Sequence, residues 1–256
     1  MKLRQVIPCL DINNGRVVKG IRFEDLRDAG DPIAQAQTYE MWGADALAML
    51  DITATVENRA PFVHLVAQVS KTIQIPIVVG GGIRNEEDVR ALLDAGASQV
   101  SLGSSAVNTP KLLESLAKKH GSECIMVAVD AGYDAEGVAR VHTHGGKKAT
   151  PLEVVEWCKE VEKLGVGEIL LTSIDKDGTQ LGFDIPLLER VCKSTSLPVI
   201  ASGGAGKVEH FVEAFKAGAQ SVLAASLFHF RTLSIEGVKA ACEQAGFAMQ
   251  QKTPKP

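Results

Sequence analysis

The chain has 256 residues, 27 Lys and Arg against 31 Asp and Glu, 45% hydrophobic residues and 24 glycines. That length buries a full hydrophobic core as one large domain or two small ones, so folding calls for no metal or disulfide framework. A net charge of −4 offers no basic excess for nucleic acid or an anionic membrane surface, and no run of about 18 uncharged apolar residues marks a membrane span.

The opening Met1-Lys2-Leu3-Arg4-Gln5 leads into too short an apolar run for a signal peptide. The five cysteines (Cys9, Cys124, Cys158, Cys192, Cys242) are odd in number and scattered, with no C-x-x-C pair. They read as buried small hydrophobes in a reducing compartment, so a cytoplasmic protein is expected.

The hydrophobic pattern switches between two periods. Short runs rich in Val, Ile and Leu that end in Gly, Ser or Asp read as buried parallel strands near 5–11, 46–51, 75–80, 98–103, 124–130, 168–173, 197–202 and 220–225. The amphipathic stretches between them read as helices over roughly 31–42, 58–73, 85–95, 109–120, 150–164, 184–194, 207–217 and 233–245.

In chain order, the first strand ends at Asp11, and the segment 12–30 is too long for a simple βα turn of about 2–6 residues. Asn13-Asn14-Gly15 is a turn signal, and with Arg16-Val17-Val18-Lys19 it predicts a small hairpin able to fold over the strand ends. Lys19 then reaches an anionic or enol oxygen, or is a solvated surface lysine. The second strand ends at Asp51, the third at Gly81-Gly82 and the fourth at Gly103-Ser104. Asn85-Glu86-Glu87-Asp88 is an N-cap with acids in the first turn, and Gly96 and Gly218 are C-caps. The fifth strand ends at Asp130, and its loop turns at 132–137 into a second hairpin-like segment that carries His142 and His144. These two could share one side of a strand, but no third ligand lies at a recognisable spacing, so no metal is expected. The sixth strand ends at Thr172, the seventh at Gly203-Gly204 and the eighth at Ala225-Ser226.

Eight βα units in 256 residues is 32 each, close to the roughly 30 expected of one unit. The predicted fold is therefore α/β, a (βα)8 TIM barrel. The open doubly wound sheet lacks its G-x-G-x-x-G fingerprint here.

The sequence also repeats itself. Pro76-Ile77-Val78-Val79-Gly80-Gly81-Gly82 lines up with Pro198-Val199-Ile200-Ala201-Ser202-Gly203-Gly204 at an offset of 122, which also carries Gly103-Ser104 onto Ala225-Ser226. Cys9-Leu10-Asp11 falls against Ala128-Val129-Asp130 at 119. A single domain over 1–256 built from two half-barrels, approximately 1–122 and 123–246 with a polar tail at 247–256, is the expected organisation.

In such a barrel the active site gathers at the C-terminal ends of the strands. Small residues there let backbone N–H groups approach an anion, and two such cradles on opposite sides imply a substrate with a phosphate at each end. The plainer alternative is that each glycine only permits a tight turn. Asp11 and Asp130 lie between the cradles and can serve as general acid and base; the alternative is that each caps a neighbouring loop. Asp51 has Thr172 as its counterpart and reads as a supporting residue.

These residues resemble a family, the cyclase subunits of imidazole glycerol phosphate synthase from histidine biosynthesis. The resemblance covers essentially the whole chain. It rests on Ile7-Pro8-Cys9-Leu10-Asp11, Gly15-Arg16-Val17-Val18-Lys19-Gly20, Asp51-Ile52-Thr53-Ala54, Val79-Gly80-Gly81-Gly82-Ile83, the run from Gly167 to Thr179, Ala201-Ser202-Gly203-Gly204-Ala205-Gly206 and Ala224-Ala225-Ser226-Leu227-Phe228-His229.

The resemblance implies a bisphosphate substrate, phosphoribulosyl-formimino aminoimidazole carboxamide ribonucleotide. Ammonia attacks it, and cleavage with ring closure gives imidazole glycerol phosphate and aminoimidazole carboxamide ribonucleotide. It implies Asp11 and Asp130 as the acid/base pair and Lys19 as a loop residue near the substrate. One phosphate falls at Gly82, Gly103 and Ser104, the other at Asp177, Gly178, Gly203, Gly204, Ala225 and Ser226, with Thr172 and Ser202 lining the centre. No cofactor and no metal are implied. Ammonia is expected from a glutaminase subunit docked on the N-terminal face, and passes through the barrel core.

The chain departs from the family on that route. Where the family places an Arg, a Glu, a Lys and a Glu at the barrel entrance, this chain has Gln5, Ala46, Gln99 and Glu168. Ser98 stands for a usual Asp, Glu123 for a usual Gln and Gly103 for a usual Asn. Two other readings stay open at this level: a paralogous or engineered barrel that sends channelled ammonia to another phosphorylated or sugar acceptor, and a non-catalytic phosphate-binding barrel.

Overall fold

The computed structural model describes residues 3–21, 24–57 and 59–251, and for 19–21 and 24–27 the backbone alone. In chain order the elements are β1 (Gln5–Asn13), β2 (Arg16–Ile21), β3 (Glu24–Gly30), α1 (Pro32–Met41), β4 (Leu47–Asp51), α2 (Val63–Ser70), β5 (Ile77–Gly80), α3 (Glu86–Asp94), β6 (Gln99–Leu102), α4 (Ser104–Asn108), α5 (Pro110–His120) and a 3-10 turn at Ser122–Cys124. The second half continues with β7 (Ile125–Tyr133), β8 (Ala139–Thr143), β9 (Lys148–Glu153), α6 (Val154–Lys163), β10 (Glu168–Ser173), α7 (Ile185–Ser194), β11 (Val199–Ser202), α8 (Val208–Lys216), β12 (Ser221–Ala224), α9 (Ser226–His229) and α10 (Ile235–Gln244).

Among the described residues, eight parallel strands close in the order β1, β4, β5, β6, β7, β10, β11, β12 and back to β1. The structure is thus the (βα)8 barrel that the strand count predicts. Alternation along the strands sorts the apolar residues into two layers. Ile7, Cys9, Ala48, Val78, Met126, Leu170, Ile200 and Leu223 form one buried cluster inside the barrel. Val6, Leu10, Leu47, Val79, Val127, Leu171 and Val222 face outward and join the helices in a second, larger one. Because both faces of each barrel strand are covered, these strands read as apolar runs.

Helices α1, α3, α7 and α10 begin within two residues of where the sequence places them. The side chains of Asp31, Asn85, Asp184 and Ser234 accept hydrogen bonds from the backbone N–H groups of Ala34, Asp88, Leu187 and Gly237, satisfying donors that the first turn leaves unpaired. Cys9, Cys158 and Cys242 are buried, and Cys124 and Cys192 are half-buried. No helix of the described residues is long and apolar enough to cross a membrane.

Four details differ from the sequence reading. The helix expected from residue 58 starts at Val63. The one expected from 150 starts at Val154, because Lys148–Glu153 pairs with β8 as β9. Two short helices, α4 and α9, follow β6 and β12 directly. His142 lies in β8, but His144 has left the strand with φ +57°, so the two rings do not share a strand face.

Candidate active site

Two of the barrel strands run on past the barrel wall. β1 turns at Asn14-Gly15, both with positive φ (48° and 76°), into β2, which pairs with it and with β3. β7 likewise runs into β8 and β9. The first hairpin is therefore as the Asn-Asn-Gly signal predicts, since a two-residue turn that matches strand twist needs left-handed residues. The side chain of Lys19 lies outside the described residues.

Between the hairpins, a cavity of about 500 Å³ opens at the C-terminal ends of the barrel strands. Asp11 and Asp130 line it from β1 and β7, with Thr172 from β10 and Ser202 from β11. The register sets Thr172 beside both Asp130 and Ser202, so these three form one row along the wall. The thiol of Cys9 donates to Asp11 Oδ1 at 3.5 Å. Burial pushes the Asp130 carboxyl up to about 6; His142 pulls it down and Asp177 adds to the rise. A carboxyl that gains and loses its proton near neutrality suits general acid or base work.

The two ends of the cavity are built alike. Gly81 and Gly82 follow β5 with φ of 101° and 71°, and Gly203 and Gly204 follow β11 with 87° and 104°. A Cβ on Gly81 would sit 2.3 Å from the Asp51 carbonyl oxygen, and one on Gly203 2.7 Å from that of Ser173. Both turns therefore require glycine for conformation and for space. Gly103 precedes α4 at φ −107°, ψ −92°, and Ala225 precedes α9 at φ −109°, ψ −75°. Ser104 and Ser226 are the first residues of those helices. Gly82, Gly103 and Ser104 line one end of the cavity. Asp177, Gly178, Gly203, Gly204, Ala225 and Ser226 line the other. The structure thus brings together every predicted site residue whose side chain it describes.

Asp51 also borders the cavity. Its carboxylate is buried and accepts from the backbone N–H groups of Thr53 and Ala54, at 3.1 and 2.9 Å. It also meets the guanidinium of Arg59 at 2.9 and 3.0 Å. Arg59 escaped the sequence reading, which placed it inside a helix. His144 also lines the cavity, and its backbone N–H donates to Ser104 Oγ at 2.8 Å. The sequence reading named His144 only as a weak metal-ligand candidate; its left-handed backbone at φ +57° is not legible in sequence.

At the opposite face, Gln99 Nε2 donates to Glu168 Oε2 at 3.1 Å, Gln5 Nε2 to Gln250 Oε1 at 2.6 Å, and Ser221 Oγ to Gln5 Oε1 at 3.2 Å. Ala46, just before β4, is buried, and Ser98 Oγ accepts from the Ile77 N–H at 3.3 Å.

Comparison with known proteins agrees with this architecture. The profile of the family described as "Histidine biosynthesis protein" matches residues 5–234. Among curated relatives, "Imidazole glycerol phosphate synthase subunit HisF" of Corynebacterium glutamicum is 52% identical over 253 residues, covering 96% of this chain and 98% of its own. Proteins of the same name from Gluconacetobacter diazotrophicus and Pyrobaculum aerophilum are 50% and 53% identical, covering 100% and 94% of this chain and 99% and 96% of their own. Likeness at this level along the whole barrel favours the cyclase over the other-acceptor and non-catalytic readings. The chain belongs to the histidine-biosynthesis family and, within it, to the enzymes that form the cyclase subunit of imidazole glycerol phosphate synthase.

Proposed function

We propose that this barrel binds the bisphosphate phosphoribulosyl-formimino aminoimidazole carboxamide ribonucleotide across its cavity. It then uses ammonia to form imidazole glycerol phosphate and aminoimidazole carboxamide ribonucleotide, with Asp11 and Asp130 as the acid/base pair. The observation that carries this reading is the placement of both carboxyls in one cavity between two matching Gly-Gly turns. Each phosphate meets backbone N–H groups that glycine leaves accessible, at Gly82, Gly103 and Ser104 on one side and Gly178, Gly203, Gly204, Ala225 and Ser226 on the other. Thr172 and Ser202 offer hydroxyls to the middle of the substrate, and Asp51 holds the loop at 52–54 through its N–H bonds. Asp130, with its proton gained or lost near pH 6, shuttles a proton during ammonia attack or ring closure, and Asp11 acts from the other side. Lys19 closes over the substrate from the first hairpin.

The relatives are named as subunits of a synthase. We infer a glutaminase partner on the N-terminal face, with ammonia passing through the barrel interior, and a cytoplasmic single-domain protein of two half-barrels. The repeat of cradle, hairpin and Asp at an offset of about 120 residues supports that division. The test is turnover of the bisphosphate with ammonium salt at high pH, comparing the parent with Asp11→Asn and Asp130→Asn. Loss of turnover in both variants with retained substrate binding is expected. A parent that binds the bisphosphate but never turns it over sinks the assignment. Co-purification with a glutaminase subunit tests the partner separately.

A further inference from the structure

Past Asp130, β7 returns as β8, and the antiparallel register sets His142 directly opposite Asp130. Residues opposed in this way point to the same face of the sheet, with Cβ atoms about 5 Å apart. Two features fix the imidazole there. His142 Nδ1 lies 2.9 Å from the Gly146 carbonyl oxygen. A carbonyl only accepts, so Nδ1 carries the proton and Nε2 is the nitrogen free to bind another. Gly132, two residues beyond Asp130 and on the same face, has no side chain, and a Cβ there would lie 2.9 Å from His142 Nε2. The ring therefore fills the space that a side chain at 132 would take, beside the carboxyl. His142 is half-buried, and the catalytic scheme above gives it no part. Among the described residues, the charged groups that bear on Asp130 are His142 from β8 and Asp177 from the loop after β10.

We propose that His142 is a positioning residue for Asp130, favouring its anionic, proton-accepting form from the neighbouring strand. A proton on Nε2 makes the imidazole a cation beside the carboxylate, whereas Asp177 opposes the second negative charge. Burial sets most of how readily Asp130 holds its proton, and these two neighbours adjust it from opposite sides. This rests on the reading of Asp130 as an acid/base group.

The test compares the parent with His142→Phe and His142→Gln in ammonium-dependent turnover across pH. The titration of the Asp130 carboxyl is followed in parallel by carbon NMR of the full chain. Phe fills the same volume without charge, and Gln keeps a donor for the Gly146 carbonyl without charge. Both variants are expected to move the acid limb of kcat/KM and the carboxyl titration upward by about one pH unit, with KM for the bisphosphate unchanged. An unmoved carboxyl titration in the Gln variant overturns the proposal, and so does a fall in kcat with an unmoved acid limb. If Phe fails to fold, the Gln variant decides alone. If Asp130→Asn retains full turnover, the acid/base reading fails instead, and the carboxyl titration still decides whether His142 acts on Asp130.

Discussion

Arg59 grips Asp51 through two parallel hydrogen bonds, Nη1 to Oδ2 at 2.9 Å and Nη2 to Oδ1 at 3.0 Å, at the rim of the cavity. The Asp51 side chain is 1% exposed and that of Arg59 30%, so the carboxylate depends on the guanidinium and on the loop N–H groups for its compensation. Arg59→Ala is expected to cost about 1–3 kcal/mol, less than a fully buried pair because the arginine is partly in water. It should also raise KM for the bisphosphate as the loop at 52–54 loosens. Arg59→Lys restores only part of either effect, since an ammonium cannot make the two-pronged contact. Urea unfolding and steady-state kinetics of the two variants check this, and equal behaviour of Lys and Arg would remove the geometric argument.

Asp130 carries a cost as well as the role proposed for it. Its carboxyl is held at about 6 chiefly by burial, above the ordinary value of about 3.9 in an unfolded chain. The native state therefore takes up a proton that the unfolded state does not as pH falls between those two values. The penalty for the buried anion is full above about pH 6 and disappears toward pH 4. Asp130→Asn should thus abolish turnover yet stabilise the fold at pH 7 by about 1–2 kcal/mol, a figure discounted for the open cavity beside it. Thermal melts at pH 7 and pH 4.5 check the sign: the advantage of the variant must narrow at the lower pH.

The parts of the molecule that were legible in sequence are those with local signatures. Buried parallel strands show as Val- and Ile-rich runs, as at Ile77-Val78-Val79, and Asn14-Gly15 announces its own turn. The offset repeat pointed to two alike Gly-Gly turns, and both line the cavity. What escaped needs distance information. Arg59 reaches Asp51 only because the helix starts at Val63 rather than 58, and an apolar run flanked by polar residues does not fix that boundary. Likewise α4 and α9, at 5 and 4 residues, are too short to carry a helical period. The pairing of His142 with Asp130 depends on hairpin register, which the 132–147 loop does not reveal by composition.

Glycines at the two cradles differ in what they demand. Gly81→Ala and Gly203→Ala each place a Cβ against backbone, 2.3 and 2.7 Å from carbonyl oxygens, in a left-handed conformation. Each should destabilise by about 2 kcal/mol or more, through clash and strain together. Gly103 has negative φ, and its nearest neighbour for a Cβ is the Ala128 side chain at 3.7 Å. Gly103→Ala should therefore fold with a change within about 0.5 kcal/mol, as the alanine at the matching position 225 already shows to be sterically possible. Chemical denaturation of the three variants separates them. A Gly81→Ala protein as stable as its parent would mean that the turn relaxes freely.

Lys239 joins the last helix to the first strands. Its Nζ donates to Asp45 Oδ1 at 2.6 Å and to the Gly43 carbonyl at 3.2 Å, while Asp45 Oδ2 accepts from the Val6 N–H at 2.8 Å. The side chains are 11% and 1% exposed, so this ion pair ties α10 to β1 and to the start of β4, where the barrel closes. Burial raises the Asp45 carboxyl, while Lys239 and the Val6 N–H hold it down. Lys239→Met leaves that carboxylate buried with one partner gone and should cost about 3–5 kcal/mol. Asp45→Asn combined with Lys239→Met removes the charge while keeping an acceptor for Val6, and should recover most of the loss. Urea unfolding of the single and double variants measures the difference. A single variant that loses no more than the ~0.5 kcal/mol of an ordinary surface change would show that the barrel closes without this pair.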